Sequence, residues 1–262
     1  MLLTVQKAPS FVEAHGHQLE YVDIAGDSPD LLFLHEGLGS VSLWRDFPQR
    51  LAARTGRRAI VYSRAGFGRS SPRRTPYTVE FMHEEALHVI PALRDRLRLR
   101  STILVGHSTG ASMALIHAGL EPEANGVAGV VAIAPFAFVE DSNLQAIRAA
   151  RERYGKLRER LARHHDDVDA VFHGWNDLWL DASFRGWSID EDLGRIRCPI
   201  LAILGDKDEY CTPAQLERLA ALASHARQVE IVRLPESGHS PQRDDPDVTI
   251  EHIARFIGTL ES

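Results

Sequence analysis

The sequence is poor in cysteine and contains no long apolar run. Its 262 residues include two cysteines, Cys198 and Cys211, whose spacing does not match that of a zinc site. Two cysteines in a chain without a recognisable secretion signal indicate reduced thiols rather than a disulfide framework. No stretch approaches the roughly 18 apolar residues of a transmembrane helix. These absences predict a cytoplasmic protein with no membrane partner.

The chain also lacks an excess of basic residues. Thirty lysines and arginines stand against 36 acidic residues, so the formal net charge is −6, which argues against a nucleic-acid partner. What is present is an ordinary globular composition, 44% hydrophobic and 25% charged, in a chain long enough for one large domain with a full core. We therefore expect a small-molecule partner, and the oligomeric state stays open.

Short apolar runs alternate with segments of helical periodicity along most of the chain. Such runs occupy residues 31–34, 59–62, 102–105, 127–134, 200–204 and 229–234. Continuous apolar strands that alternate with helices predict an α/β fold, with a mostly parallel sheet covered by helices on both faces. Residues 11–15 and 18–24 are predicted to pair as strands around Gly16. A helix over 79–97 is expected to be disturbed at Pro91.

One interval, residues 136–190, interrupts this alternation because it shows no clear strand. Its apolar residues recur at steps of three and four from Leu144 to Leu161, which is the pattern of one helix face. The interval is either a satellite core or a helical cap over a pocket. The cap is favoured, because ligands of open α/β sheets bind beyond the carboxyl ends of the strands. The predicted division is therefore a core of residues 1–135 and 191–262 with a cap of residues 136–190.

The most informative motif is Gly-His-Ser-Thr-Gly at residues 106–110, directly after an apolar run. Its glycines allow a sharp, strained strand-to-helix turn that exposes the hydroxyl of Ser108. A serine nucleophile needs a base, and the base needs an orienting group. Asp206 and Asp208 follow the run 200–204, and His239 follows the run 229–234. Acid and imidazole thus come after the serine, at the ends of two successive predicted strands.

In these motifs the chain resembles the α/β-hydrolase superfamily over essentially its whole length, and most of all the small, cofactor-independent bacterial esterases with a helical cap. The matching segments are residues 35–40, 66–70, 106–110, 205–208 followed by Pro213, and 238–239 followed by 244–246. The resemblance implies an α/β-hydrolase fold in which the cap is inserted before the acid-bearing strand. It also implies that Ser108 is the nucleophile and His239 the base. The family places the acid three residues after a strand-end glycine, which favours Asp208 over Asp206.

The resemblance further implies an oxyanion hole formed by the backbone N–H groups of Gly37 and Thr109. The loop that carries Gly37 departs from the family, because Glu36 stands where glycine is usual. A second departure is the segment 63–65, which contains Arg64 where an aspartate is common. A buried carboxylate is costly unless it is paired. We therefore expect Glu36 to pair with Arg64, the alternative being that Glu36 points into solvent.

The implied function is hydrolysis of a small or medium carboxylic ester or thioester through an acyl-enzyme intermediate. No cofactor and no metal are expected, since the spacing of His83 and His88 is not that of a zinc motif. The substrate is expected to contact aromatic side chains in and next to the cap, namely Phe136, Phe172, Trp175, Trp179 and Trp187. Two alternatives stay open: a carbon–carbon bond hydrolase of the meta-cleavage type with the same triad, and a small-ligand receptor that keeps the fold without turnover.

Residues 148–163 form a basic stretch, with seven lysines and arginines against Glu152 and Glu159. The apolar stripe uses the opposite helix positions, so these charges are expected to form a solvated outer face, continued by His164 and His165. The alternative is a docking strip for an anionic leaving group, such as the phosphates of coenzyme A or an acyl carrier protein. Electrostatic attraction of such an anion by the basic stretch would act over about a Debye length, roughly 8 Å at physiological salt.

Overall fold

A computed structural model describes residues 10–120 and 126–260, and within them eight strands form one sheet. The strands are Ser10–Ala14 (β1), His17–Ile24 (β2), Asp27–Leu34 (β3), Arg57–Tyr62 (β4), Thr102–His107 (β5), Val127–Ile133 (β6), Ile200–Gly205 (β7) and Val229–Leu234 (β8). Their order across the sheet is β1-β2-β4-β3-β5-β6-β7-β8. Neighbours from β4 to β8 in this order are parallel, whereas β1 and β2 pair antiparallel, as do β2 and β4. The predicted mostly parallel sheet is confirmed, as is the pairing around Gly16.

The helices lie between and beyond these strands. They are Phe47–Thr55 (α1), Phe81–Glu84 (α2), Ile90–Leu97 (α3), Thr109–Gly119 (α4), Asp141–Glu152 (α5), Tyr154–Leu161 (α6), Val168–Leu180 (α7), Asp190–Leu193 (α8), Ala214–Leu222 (α9), Pro241–Asp244 (α10) and Pro246–Thr259 (α11). Short 3₁₀ turns occupy Val41–Trp44 and Ala182–Gly186. Among the helices of the described residues, none is long and apolar enough to cross a membrane.

Both faces of the sheet are apolar and covered. Along β3, Leu32 and Leu34 belong to one core cluster, while Leu31 and Phe33 belong to the other. Successive strand side chains point to opposite faces, so a strand buried on both sides has no polar alternation. This double burial explains the continuous apolar runs in the sequence. It also leaves the strand ends as the places where polar residues can gather.

The helix predicted over 79–97 is disturbed next to Pro91, as expected. Between α2 and α3 the chain widens into a π turn at Glu85–Val89, and Pro91 stands in the first turn of α3. Proline lacks an N–H and its ring clashes with the preceding turn, so the helix cannot run regularly through it. The Nδ1 of His117 lies 2.8 Å from the Ala86 carbonyl oxygen, which gives this carbonyl a partner inside the turn.

Residues 136–190 form a helical segment between β6 and β7. The apolar stripe predicted on one helix is divided between α5 and α6, with a break at Arg153. The segment rests on the loops at the carboxyl edge of the sheet, where Gly68 N–H donates to His165 Nδ1 and His165 Nε2 donates to the Leu38 carbonyl, both at 3.0 Å. The expectation of a solvated His165 is wrong, since the residue is 3% exposed. Burial lowers the pKa of His165 to about 4, so the imidazole is neutral and joins the segment to the sheet.

Candidate active site

Ser108 lies at the turn between β5 and α4, with φ 56° and ψ −123°. A positive φ is strained for a residue with a Cβ, and such strain concentrates at functional sites. The flanking glycines are required by close packing. A Cβ at Gly106 would overlap the Gly110 carbonyl, and one at Gly110 would overlap the Leu34 carbonyl. The Ser108 N–H donates to the Ile133 carbonyl at 2.8 Å, which ties the turn to β6.

The structure brings Ser108, His239 and Asp208 together. His239 Nε2 lies 3.0 Å from Ser108 Oγ, and His239 Nδ1 lies 2.8 Å from Asp208 Oδ2. The Asp208 carboxylate also accepts from the backbone N–H groups of Tyr210 at 2.7 Å and Cys211 at 3.0 Å, and its side chain is 1% exposed. A carboxylate only accepts hydrogen bonds, so Nδ1 carries a proton and Nε2 is free to accept from the serine hydroxyl.

Asp206, the alternative acid, has another partner. Its Oδ1 accepts from Arg233 Nε at 2.7 Å, on the neighbouring strand β8. Of the two carboxylates, Asp208 is the one hydrogen-bonded to His239. The geometry therefore favours Asp208 as the group that orients His239, whereas Asp206 pairs with Arg233.

A buried thiol lies behind the imidazole and the carboxylate. Asp208, Cys211 and His239 each offer one potential metal ligand atom, all within 4.8 Å of one another. The Cys211 Sγ lies 3.7 Å from the Ala134 carbonyl oxygen, and burial raises the pKa of this thiol well above its usual value. A metal ligand must be a thiolate, and His239 Nδ1 already donates to Asp208. The cluster is therefore better described as a protonated thiol packed against the hydrogen-bonded pair.

Gly37 and Thr109, the two predicted oxyanion donors, both lie near Ser108. Gly37 lines the cavity that contains the serine, and Thr109 is the first residue of α4, where helix N–H groups have no intrahelical acceptor. Within residues 10–120 and 126–260, neither backbone N–H donates to another protein group. A Cβ at Gly37 would overlap the Trp175 indole, so the contact with α7 requires glycine here. Both N–H groups are thus available to an incoming oxygen.

The predicted side-chain pair between Glu36 and Arg64 is wrong. The Glu36 carboxylate binds Arg243, with 2.7 Å between Oε1 and Nη2, and its Oε2 lies 3.4 Å from His107 Nδ1. Arg64 donates instead to backbone, from Nη2 to the Glu36 carbonyl at 2.8 Å. Burial alone would raise the pKa of Glu36, but His107 and Arg243 hold it well below its usual range. The true partner is 207 positions away in sequence, which is why no local pattern indicated it.

A cavity of about 300 Å³ opens at Ser108. Two of the five aromatic residues predicted to bind substrate, Phe136 and Trp175, line it. The Phe136 ring lies 6.0 Å from the His239 ring, centre to centre. Leu157 of α6 and Trp175 of α7 form part of the wall, so the helical segment closes one side of the space above the serine.

The other three aromatic residues do not line this cavity, and that part of the prediction requires correction. Trp179 is 1% exposed and packs against Phe136, with 4.7 Å between ring centres. Phe172 stacks on Tyr154 at 4.0 Å, and Trp187 stacks on Phe184 at 5.4 Å. The packing of α5, α6 and the 3₁₀ turn around α7 covers these rings. They form the core of the helical segment, and helical periodicity alone does not tell such a core from a pocket wall.

A sequence model of the alpha/beta hydrolase family matches residues 31–252. The chain belongs to this family. It is 27% identical over 268 residues to the dihydrolipoyllysine-residue acetyltransferase component of the acetoin cleaving system of Pseudomonas putida, covering 95% of this chain and 69% of that protein. It is 23% identical over 270 residues to an sn-1-specific diacylglycerol lipase of Mus musculus, covering 91% of this chain and 85% of that protein.

Among solved structures, a bacterial membrane phospholipase A superposes with a TM-score of 0.80 at 19% identity, covering 97% of this chain and 87% of that one. This likeness shows a shared fold. The predicted superfamily and the α/β-hydrolase fold are confirmed, and the protein is an enzyme of the hydrolase class.

The basic stretch of this hydrolase divides into arginines with different surroundings. All seven of its basic residues are exposed. Arg151 donates to Asn176 Oδ1 at 2.6 Å and pairs with Asp177, and Arg158 binds Asp169 at 3.0 Å. Arg160, in contrast, lines the cavity. The stretch is therefore not one uniform face.

Sequence reasoning missed several residues that border the cavity of the hydrolase. Among them are Arg45, His164, Tyr210 and Arg243. Tyr210 follows Asp208 and Arg243 follows His239 by a few positions. This closeness in sequence was a usable signal. The Tyr210 ring lies 4.6 Å from the His239 ring. Arg45 and His164 come from segments far apart in sequence, and no local pattern marks them.

Proposed function

We propose that this hydrolase cleaves carboxylic esters or thioesters through an acyl-enzyme intermediate on Ser108. The observation that carries the proposal is the continuous contact from Ser108 Oγ to His239 Nε2 at 3.0 Å and from His239 Nδ1 to Asp208 at 2.8 Å. A hydroxyl, an imidazole and a buried carboxylate in this order are the groups that nucleophilic acyl transfer requires. The family membership and the strained turn at Ser108 support the same reaction.

In the first half-reaction, Ser108 Oγ attacks the substrate carbonyl carbon and its proton passes to His239 Nε2. Asp208 stabilises the imidazolium that forms. The Gly37 and Thr109 N–H groups receive the negative charge that develops on the carbonyl oxygen, which is where a preorganised donor contributes most. Collapse of the tetrahedral intermediate breaks the ester or thioester bond, and the leaving alcohol or thiol takes the proton from His239.

In the second half-reaction, water replaces the leaving group. His239 Nε2 accepts a proton from the water as its oxygen attacks the acyl carbon, and the same oxyanion donors act again. The Ser108 Oγ–acyl bond then breaks and Oγ regains the proton. In total, one water is consumed, and one carboxylic acid and one alcohol or thiol are released. Neither half-reaction draws on a metal or a cofactor.

The cavity indicates the size of the substrate. Its volume of about 300 Å³ is at the lower end of small-molecule sites, which span roughly 300–1,000 Å³. Phe136, Leu157 and Trp175 supply apolar wall near the serine, which suits a short or medium acyl chain. We further propose that residues 136–190 act as a cap over this cavity. Relatives named as a lipase and a phospholipase favour an ester over a carbon–carbon bond as the one cleaved.

The test is a substrate panel on the wild type, Ser108→Ala and the surface variant Ser224→Ala. Aryl esters of rising acyl length, acyl-CoA thioesters and vinylogous diketones represent the candidate reactions. We expect turnover of esters or thioesters by the wild type and Ser224→Ala, and none by Ser108→Ala. Mass spectrometry of rapidly quenched protein should find the acyl group on the peptide that contains Ser108. Preferred turnover of the diketone, or full activity in Ser108→Ala, would overturn the proposal.

A further inference from the structure

The wall of the cavity includes two exposed arginines that have no counter-ion among the described residues. Arg45, which follows the 3₁₀ turn after β3, and Arg160 of α6 both line the cavity and are exposed. Within residues 10–120 and 126–260, neither side chain has a hydrogen bond or an ion pair. The basic stretch behaves differently elsewhere, since Arg151 and Arg158 bind the acidic residues Asp177 and Asp169. Two arginines without a counter-ion therefore line the same cavity, and because both are exposed, we call this part of the wall the cavity mouth.

The remaining charges of the wall reduce the positive charge of this pair but do not cancel it. Arg243 is neutralised by Glu36, whose carboxylate it binds at 2.7 Å. Glu209 faces the cavity from the loop after β7, next to Gly238, and within the described residues its carboxylate has no ion pair, so it offsets one of the two arginine charges. His164, held by Ser42 Oγ at 2.8 Å, has its pKa lowered by burial first and then by surrounding arginines that include Arg243 and Arg45. The imidazole therefore adds no charge.

We propose that this cavity mouth binds an anionic oxygen group of the substrate, a carboxylate or a phosphate, between Arg45 and Arg160. The inference rests on the proposed ester or thioester hydrolysis and narrows its substrate class. Guanidinium groups bind carboxylates and phosphates through paired N–H donors. A carboxylate would belong to the far end of the acyl chain, and a phosphate would belong to the leaving group.

Two matched substrate pairs separate these sources. The p-nitrophenyl half-ester of glutaric acid and p-nitrophenyl valerate differ in a terminal carboxylate, and the valeryl thioesters of 4′-phosphopantetheine and of pantetheine differ in the phosphate of the leaving group. We expect the wild type to prefer one anionic member by about tenfold in kcat/KM, the effect of one charge-assisted hydrogen bond. Arg45→Gln and Arg160→Gln should lower kcat/KM on the anionic member much more than on the neutral member, so that this preference is lost. The preference should also decrease as salt rises.

Arg151→Gln and Arg158→Gln are the matched controls, because they remove arginines of the same stretch that are paired elsewhere. The inference is overturned if the wild type shows no anionic preference, or if the Arg45 and Arg160 variants lose activity equally on both members of a pair. Retained hydrolysis in Ser108→Ala would instead overturn the proposed function. Calorimetric binding of the anionic and the neutral member of each pair to Ser108→Ala reads the anion site independently of turnover, and equal affinities within both pairs would also overturn the inference.

A separate observation concerns the peptide bond between Glu36 and Gly37. Its carbonyl oxygen accepts from Arg64 Nη2 at 2.8 Å and from His35 Nδ1, also at 2.8 Å. His35 Nε2 accepts from the Arg64 backbone N–H at 3.1 Å, so Nδ1 is the protonated nitrogen. Arg64 is 4% exposed and donates from Nη1 to the His35 carbonyl at 2.5 Å. Two donors thus hold one carbonyl on the inner side of the loop.

A trans peptide points its C=O and N–H in opposite directions. Because Arg64 and His35 hold the Glu36 carbonyl on the inner side, the Gly37 N–H faces the other way, and Gly37 lines the cavity beside Ser108. The guanidinium charge on the carbonyl also polarises the amide, which makes its N–H a better donor. We infer that Arg64 is a positioning residue that aims the Gly37 N–H at the developing oxyanion.

The test compares Arg64→Lys with Arg58→Lys, which changes a paired arginine away from the cavity, hydrogen-bonded to Asp23 at 2.8 Å. Fluorophosphonate titration gives rates per competent active site, so a misfolded fraction does not enter the result. We expect kcat of Arg64→Lys to fall about 10-fold to 100-fold with KM nearly unchanged, since removal of a whole oxyanion donor costs about 10²–10³-fold. The affinity for a trifluoromethyl ketone, whose adduct carries an oxyanion, should fall by the same factor.

Product affinity should not change in Arg64→Lys, and Arg58→Lys should match the wild type in every measurement. A purely structural role would lower thermal stability and leave kcat per titrated site and the affinity for the ketone unchanged. That result would overturn the inference, as would an effect confined to KM. Failure of fluorophosphonate to label Ser108 in the wild type would instead contradict the proposed function.

Discussion

The strand ends that carry Ser108, Asp208 and His239 differ from the helical segment of residues 136–190 in how their side chains are placed. Each of the three residues follows a strand of one parallel sheet, and the pairing of β5, β6, β7 and β8 brings those strand ends to the same edge. In the helical segment, Trp175 faces the cavity while Trp179 is covered by Phe136 and Phe184. The reactive groups are thus positioned by the register of the sheet. Which aromatic residues of the helical segment line the cavity depends instead on how its helices pack against one another.

The largest expected effect is at the strand ends. Ser108→Ala, His239→Ala and Asp208→Ala should each lower kcat by several orders of magnitude, about 10⁴-fold or more, and the losses should not add, because the three groups act as a unit. Steady-state kinetics on an aryl ester measures this. Asp206→Ala is the matched control and should stay close to the wild type. A severe loss in Asp206→Ala with little loss in Asp208→Ala would reverse the assignment of the acid.

The next effect is on stability and belongs to the helical segment. Trp179→Ala removes a ring that is 1% exposed and should reduce the free energy of unfolding by about 3–5 kcal/mol, the usual cost of emptying a large aromatic site. Urea unfolding measures it. Trp175→Ala, at a half-buried position, should cost clearly less. Equal losses of unfolding free energy in Trp179→Ala and Trp175→Ala would contradict the assignment of Trp179 to the core and Trp175 to the cavity wall.

A smaller effect concerns substrate choice and is expected at the wall. Trp175→Ala opens space beside Gly37 and should shift the preferred acyl length upward, with roughly 1–3 kcal/mol of discrimination per methylene. Rates on a series of p-nitrophenyl esters measure the shift. Trp187→Ala should keep the wild-type profile per folded molecule, since this ring stacks on Phe184 away from the cavity. An unchanged profile in Trp175→Ala would leave the ring as a structural contact only.

The smallest effect is a pH dependence of stability, and it belongs to the loops at the strand ends. Glu36 has a pKa well below its ordinary 4.5 in the folded protein, so its ionised pair with Arg243 stabilises the fold above that ordinary value. This stabilisation should be lost as pH falls below about 4.5 and through the lower folded pKa. The difference in unfolding free energy between wild type and Glu36→Gln should therefore be largest near neutral pH and shrink in acid.

The control, Glu251→Gln, removes an exposed pair with Arg54 and should show almost no such difference. A wild-type advantage over Glu36→Gln that persists unchanged into acid would contradict the ionised pair.

Much of the fold and the core of the candidate site could be predicted, because the responsible signals are local. The order of strands and helices follows from apolar runs buried on both faces. The turn at Ser108 follows from glycines that close packing requires at 106 and 110. The spacing of Asp208 after Gly205 and the position of His239 after β8 are equally local. Their meeting could be expected because parallel strands bring their carboxyl ends to one edge.

The sequence by itself thus determined the α/β architecture and the three residues that meet at its edge. Tertiary structure alone decided that Glu36 binds Arg243 rather than Arg64, that His165 joins the helical segment to the sheet, and that Trp175 rather than Trp179 faces the cavity. The reason is physical. Periodicity and residue type indicate that a side chain will be buried or paired. Its partner, however, comes from segments that meet only when the whole chain has folded.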